Sequence, residues 1–203
     1  MTESVDPRPE SGVTIVEPRR FSDSRGWFSE TFVDGRLAQV GITKRFCQDN
    51  QSYSLKAGTI RGIHFQAIPH AQAKLVRCLT GAIVDYAVDL RRASPTFGRW
   101  VAAELSAENG RQLYVPEGFG HAFVTLEADC NVAYKVTDFY APSTEGGVRW
   151  DDKDLAITWP DVAGAYELSD KDALLPTLKE MTVEFPYNGM PLAAIDGAWG
   201  GNI

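Results

Sequence analysis

The sequence is poor in the residues that would make it a metalloprotein, a disulfide scaffold or a membrane protein. Its 203 residues include three histidines, three cysteines and three methionines, and no glutamate lies between Glu30 and Glu104. Cys47, Cys78 and Cys130 are odd in number, widely spaced and set in apolar segments, which reads as reduced small hydrophobes rather than a disulfide framework. No apolar run approaches the length that spans a bilayer. The opening MTESVDPRPESG has neither the basic nor the apolar region of an export signal, so a cytoplasmic protein with no membrane partner is expected. Basic residues are also in deficit. Lys and Arg number 20 against 27 Asp and Glu, giving a formal charge of -7 and a pI near 5.0, the opposite of a nucleic-acid-binding surface. A phosphorylated ligand would need a local cluster of arginine and lysine inside a cleft, where field lines focus.

What is present is a succession of short apolar runs separated by Gly, Pro, Asp, Asn and Ser. The runs are 14–21, 27–33, 59–65, 74–79, 83–90, 112–115, 122–126 and 132–136. Many are rich in β-branched and aromatic residues. In 83–90 the alternation puts Val84, Tyr86, Val88 and Leu90 on one face, which packs, and Asp85, Ala87 and Asp89 on a more polar one. Helix is expected only at 35–40, behind Asp34 as cap, and for a few residues after Leu178. The expected fold is all-β, a jelly-roll barrel of two antiparallel sheets with a few short helices, in a single domain over residues 1–203. Residues 1–12 read as a polar leader and 181–203 as a tail of uncertain docking, rich in glycine and small residues.

Two of the three histidines, His64 and His121, fall in apolar, turn-bounded runs. A buried histidine on its own is more often a satisfied core residue than a catalyst. The spacing of Gly110, Pro116, Gly118 and His121 resembles the second sequence motif of the cupin superfamily of small β-barrels, although Thr125 stands where that motif has asparagine. The first cupin motif is half present: Gly58 and His64 fit, but Gln66 replaces the second histidine and the glutamate ligand is missing. His64 and His121 alone make a poor set for a transition metal, which takes three or four protein ligands. Chemistry without a metal needs a base, an acid and fixed positive charge. His64 titrates in the right range, Lys74 is an ammonium among apolar neighbours, and Tyr134 is a candidate proton donor. Each has a plainer reading: Lys74 equally suits a snorkelling surface lysine, and Tyr134 an ordinary core aromatic.

Taken together, the ordered segments from Val16 to Leu178 resemble the dTDP-4-dehydrorhamnose 3,5-epimerase family of metal-free, cupin-like barrels. They include Asp23-Ser24-Arg25-Gly26, Gln48-Asp49-Asn50, Arg61-Gly62-Ile63-His64-Phe65-Gln66, Pro116-Glu117-Gly118-Phe119-Gly120-His121 and Leu168-Ser169-Asp170-Lys171-Asp172. The resemblance implies an isomerase that needs no cofactor and inverts C3 and C5 of a dTDP-linked 4-keto-6-deoxy sugar. It implies His64 as general base, Asp172 as the carboxylate that orients it, Lys74 beside the C4 oxygen and Tyr134 as the acid on the opposite face. Arg25, Arg61 and Lys171 carry over as diphosphate and sugar contacts, and Glu30, Gln48, Asn50 and Glu145 as polar pocket residues. Tyr140 carries over as the ring that stacks on thymine, and His121 as lining the sugar site. The resemblance also implies a homodimer whose amino-terminal strands pair across subunits. One departure is that Gly120 and Ala122 flank His121 in reversed order relative to the commoner pattern. Relatives that epimerise one carbon or isomerise the ketone remain open alternatives, as does a non-catalytic barrel that only binds a sugar nucleotide.

Overall fold

The computed structural model describes residues 12–203; most of the polar leader therefore lies outside the described residues. The apolar runs become short antiparallel strands: β1 (Thr14–Val16), β2 (Arg20–Asp23), β3 (Gly26–Ser29), β4 (Gln48–Ser54), β5 (Ile60–Gln66), β6 (Lys74–Thr80) and β7 (Ala82–Asp89). They continue as β8 (Trp100–Ser106), β9 (Gln112–Val115), β10 (Phe119–Thr125), β11 (Cys130–Val136), β12 (Glu145–Gly147) and β13 (Gly200–Gly201). Five strands form one sheet in the order β1-β9-β6-β11-β4, and six form another in the order β12-β5-β10-β7-β8-β13. The two sheets face each other as a jelly roll. Among the described residues the hairpin β2–β3 pairs only with itself.

Apolar packing on both faces of the six-stranded sheet holds this together, with a smaller cluster of Leu37, Ile42, Leu75 and Tyr114 elsewhere. Between the sheets lie Val76 and Cys78 of β6, Val101 and Ala103 of β8, Leu113 of β9, Phe123 of β10 and Val132 of β11, all buried. The outer face of the six-stranded sheet is covered by the chain after β12. There Val84, Tyr86, Val88 and Leu90 pack against Leu155, Leu178, Met181 and Phe185. The Tyr86 ring lies 4.6 Å from that of Trp159, and its hydroxyl donates to the Thr158 carbonyl at 3.0 Å. The β7 alternation is thus real, but its more polar face is no solvent face: all eight residues of β7 are buried. Asp85 and Ala87 look into the barrel.

The tail docks. Met181, Phe185 and Leu192 are buried, the Trp199 amide donates to the Ala102 carbonyl at 2.7 Å, and β13 extends the sheet beyond β8. This covers an edge that would otherwise offer unpaired backbone groups.

Other expectations change in detail. Pro18 divides the first run into β1 and β2, because proline cannot donate to a ladder. Helix α1 (Asp34–Gln39) begins at Asp34 rather than being capped by it; Val33 precedes it without a side-chain cap bond. The segment after Leu178 is a turn in which the Glu180 and Met181 amides both donate to the Thr177 carbonyl. The second helix instead lies earlier. It is α2 (Asp170–Ala173), capped by the Ser169 hydroxyl, which accepts from the Asp172 amide at 3.1 Å.

Candidate active site

The interior end of the six-stranded sheet carries the two histidines side by side. His64 of β5 and His121 of β10 are directly opposed in the antiparallel register. Just upstream, Gly62 has φ +125°, and a Cβ there would lie 2.6 Å from both the Ala122 Cβ and the His121 carbonyl oxygen. Only glycine fits so close to the neighbouring strand. The first turn of α2 delivers Asp172 behind His64. The His64 Nε2–H donates to Asp172 Oδ1 at 2.7 Å, and the Gly62 amide donates to Oδ2 at 3.3 Å. Burial pushes the Asp172 carboxyl up, but the hydrogen bond and charge of His64, with the Gly62 amide, outweigh it and hold the group below the ordinary aspartate value. An ionised Asp172 on Nε2 leaves His64 Nδ1 as the unprotonated nitrogen.

The facing sheet supplies the other groups. Lys74 opens β6, Tyr134 lies on β11, and Gln48 and Asn50 lie on β4, with Tyr134 opposite Asn50 in the register. Burial pushes the Tyr134 phenol up against the opposing pull of Arg61, so it keeps its proton at neutral pH. The ring centroids of Tyr134 and His121 are 6.5 Å apart. Lys74 is buried, and burial brings its ammonium down to about 8 against the opposing charges of Asp85 and Glu145.

One cavity of about 140 Å³ gathers Gln48, Asn50, His64, Gln66, Gln72, Lys74, Tyr134, Tyr140 and Glu145. Seven residues singled out from the sequence therefore meet in it: Gln48, Asn50, His64, Lys74, Tyr134, Tyr140 and Glu145. A larger cleft, about 330 Å³, lies on the outer side of the five-stranded sheet around Leu75, Arg77 and Gln112, away from the His64 imidazole. At the rim of the inner cavity the Tyr140 hydroxyl donates to Glu145 at 2.9 Å, and Lys171 pairs with Glu145 at 2.6 Å. Arg61 reaches away along β4, donating to the Ser54 hydroxyl at 3.2 Å and the Tyr53 carbonyl at 2.9 Å. His121 lies deeper, 6% exposed, with Nε2 bonded to Asp85.

Arg25 and Glu30 are not brought to this cavity. Arg25 sits at the tip of the exposed β2–β3 hairpin, paired with Asp23 at 2.6 Å, and Glu30 pairs with Arg36. Among the described residues no group of three His, Cys, Asp or Glu side chains is placed to hold a metal ion. Gln66, which stands where a second histidine ligand would be, spends its amide on backbone. It donates to the carbonyls of His70 at 2.7 Å and Phe139 at 3.2 Å and accepts from the Ala141 amide at 2.7 Å, so it fixes the loop that carries Tyr140. Gln66 in this role and Asp85 behind His121 are the site features that the sequence reading passed over. The polar side of the β7 alternation was the signal for Asp85.

Comparison with known proteins agrees with this geometry. The family model for dTDP-4-dehydrorhamnose 3,5-epimerase matches residues 9–180. A dTDP-4-dehydrorhamnose 3,5-epimerase of Sinorhizobium fredii is 50% identical over 179 residues, covering 86% of this chain and 89% of that protein. The crystal structure of the Bacillus anthracis enzyme of the same name, with TDP and PPi bound, is 51% identical with a TM-score of 0.78, covering 81% of this chain and 93% of that one. That of dTDP-6-deoxy-D-glucose-3,5-epimerase from Legionella pneumophila, in complex with dTDP-4-keto-L-rhamnose, is 42% identical with a TM-score of 0.81, covering 86% and 94%. With His64, backed by Asp172, on one sheet, Tyr134 on the other, and this likeness along most of its length, the chain belongs to the dTDP-4-dehydrorhamnose 3,5-epimerase family.

Proposed function

We propose that His64 and Tyr134 work from opposite walls of the cavity as the base and acid of the epimerisation. The reaction is the family's own, inversion of C3 and C5 of a dTDP-4-keto-6-deoxy sugar. His64 Nδ1 takes the proton from the carbon beside the C4 ketone, and the C–H electron pair moves into an enolate. The Lys74 ammonium stabilises the negative charge gathering on the C4 oxygen. The Tyr134 hydroxyl then returns a proton to the other face of that carbon, which inverts it; solvent reprotonates the phenolate and takes the abstracted proton from the His64 imidazolium. The observation that carries this reading is that His64, backed by Asp172, and Tyr134 rise from different sheets and line one cavity.

The cavity is far smaller than the several hundred Å³ usual for a whole ligand of this size. It suits the sugar ring, while the nucleotide lies across the rim, where Tyr140 offers an exposed ring face and Lys171 offers positive charge. Arg25 and Glu30 join such a site only from a second copy. A homodimer is supported by the self-paired hairpin and its exposed Phe21, Trp27 and Phe28. A cytoplasmic setting accords with the three free thiols. Incubation with the 4-keto sugar nucleotide in deuterated water tests the reaction: label at both C3 and C5 is expected, and label at one carbon refutes double epimerisation. His64→Ala and Tyr134→Phe should each lower kcat by about 10²–10⁴-fold, and unchanged turnover in both removes the mechanism.

A further inference from the structure

Asp85 occupies an unusual place. On the interior face of β7 it stands between Ile83 and Ala87, both core residues, with no exposure to solvent. Oδ1 accepts from His121 Nε2–H at 2.8 Å, but Oδ2 is buried without a hydrogen-bond partner among the described residues. A carboxylate buried with one oxygen unused is strongly disfavoured unless another charge compensates it. Lys74 presents the mirror image. Its ammonium is buried at the cavity wall and makes no hydrogen bond or ion pair with any described residue. Neither charge is stable alone in the barrel interior; together they interact through a medium that screens far less than water.

We propose that Asp85 is a positioning residue for the epimerisation, the counter-charge that keeps Lys74 an ammonium at the cavity wall while its Oδ1 holds His121 as the neutral Nε2–H tautomer. The proposal rests on the reading that Lys74 faces the C4 oxygen. The absence of direct contact between the two is what makes the arrangement useful. A carboxylate touching Lys74 would occupy its N–H donors, whereas one set behind His121 supplies charge and leaves all the donors for the enolate oxygen. Burial lowers Lys74 to about 8, and Asp85 is the foremost charge opposing it, ahead of Glu145. Burial likewise pushes the Asp85 carboxyl up, while His121 and Lys74 pull it back. The titratable groups facing this pair from the packed strands are His64 on β5, His121 on β10, Tyr134 on β11 and Glu145 on β12.

Asp85→Asn in the full chain tests the proposal by following the Lys74 side-chain nitrogen with ¹⁵N NMR through alkaline pH. In the variant the Lys74 midpoint should fall by about one pH unit or more, and the alkaline limb of kcat should move down with it. A residue with a merely structural role would lower the melting temperature and leave that limb in place, so an unmoved midpoint and limb overturn the proposal. If the variant does not fold, ¹³C NMR of the Asp85 carboxyl in the wild-type protein decides instead: an ionised group at neutral pH is expected, and a protonated one overturns the counter-charge. Failure here is separable from failure of the proposed chemistry. Full turnover in His64→Ala sinks the chemistry while leaving these titrations valid, and the converse also holds.

Discussion

The dyad of His64 and Asp172 gives a sharp prediction through the tautomer it imposes. In Asp172→Asn one oxygen becomes an NH2 group, and the surroundings decide which. The Gly62 amide donates to Oδ2 and tolerates only an acceptor there, so the carbonyl of the new amide must face Gly62. Its NH2 then faces His64 Nε2, which must accept, and the imidazole proton moves to Nδ1, the nitrogen that should be the base. Two neutral hydrogen bonds of about 1–1.5 kcal/mol each hold that wrong tautomer, and the lost carboxylate removes a charge-assisted bond of about 1.5–3 kcal/mol to the imidazolium formed on proton abstraction. Because the terms are not independent, about 3–5 kcal/mol is expected, or about 10²–10⁴-fold in kcat. KM should change little, since Asp172 does not line the cavity. Asp172→Ala removes the charge without enforcing the wrong tautomer, so it should retain more activity than Asp172→Asn. Single-turnover deuterium incorporation measures both. Activity of Asp172→Asn within about threefold of wild type, or an alanine variant slower than the asparagine one, refutes the tautomer argument.

Other perturbations address the frame around the site. Gly62→Ala places a Cβ 2.6 Å from the β10 backbone at a left-handed φ, so it should destabilise the fold by about 3 kcal/mol or more; urea denaturation measures this. The buried pair of Asp89 with Arg91, bonded at 2.8 Å and reinforced by Ser94 and Thr96, is structural. Asp89→Asn strands the arginine and should remove about 3–5 kcal/mol. Burial pushes the Asp89 carboxyl up, but Arg91 and the hydroxyls outweigh it, so its folded value lies below the ordinary one. Its contribution to stability is therefore complete above about pH 3.9, the unfolded aspartate value, and is lost as pH falls through the folded value; Asp89→Asn should flatten that acid limb in denaturation curves. Truncation after Glu180 removes the burial of Met181, Phe185 and Leu192, about 1.5–3 kcal/mol each, and bares the edge of β8. A lower melting temperature and concentration-dependent light scattering are expected.

Much of the architecture was written in the alternation of apolar residues, since β9 and most of β5, β6, β7, β10 and β11 fall where the runs do. Strands β8, β12 and β13 fall outside the runs, and so does β4, whose sequence Gln-Asp-Asn-Gln-Ser-Tyr-Ser has no apolar face to read. It is polar because Gln48 and Asn50 look into the site rather than a core. The candidate site residues were named by resemblance, and the structure brings seven of the named side chains to one cavity and places Asp172 and His121 immediately behind it. Arg25 and Glu30 were not placeable from one chain's geometry, because the hairpin that carries Arg25 and leads into Glu30 has no partner strand among the described residues of its own barrel. The tail was opaque for a related reason. Its contacts are backbone bonds to β8 and scattered apolar anchors at Met181, Phe185 and Leu192, which leave no periodic signature.

The placement of His64 shows why alternation alone does not orient a site. In β5 the residues packed on the outer face are Ile60, Ile63 and Phe65, a spacing of three and then two. A regular strand with Ile60 outward would also turn residues 62 and 64 outward, burying the imidazole in the apolar layer under the C-terminal segment. The pairing with β10 slips by one residue between Phe123 opposite Arg61 and His121 opposite His64, and this bulge reverses the phase. Gly62 sits at the slip and has no Cβ to collide with the crowded β10 backbone. The same residue offers its amide to Asp172. One glycine thus turns His64 into the barrel, lets β5 approach the strand of His121, and anchors the Asp172 carboxylate behind the imidazole. A search for other sequences with this chemistry should weigh that glycine, two residues before the histidine, as heavily as the histidine itself.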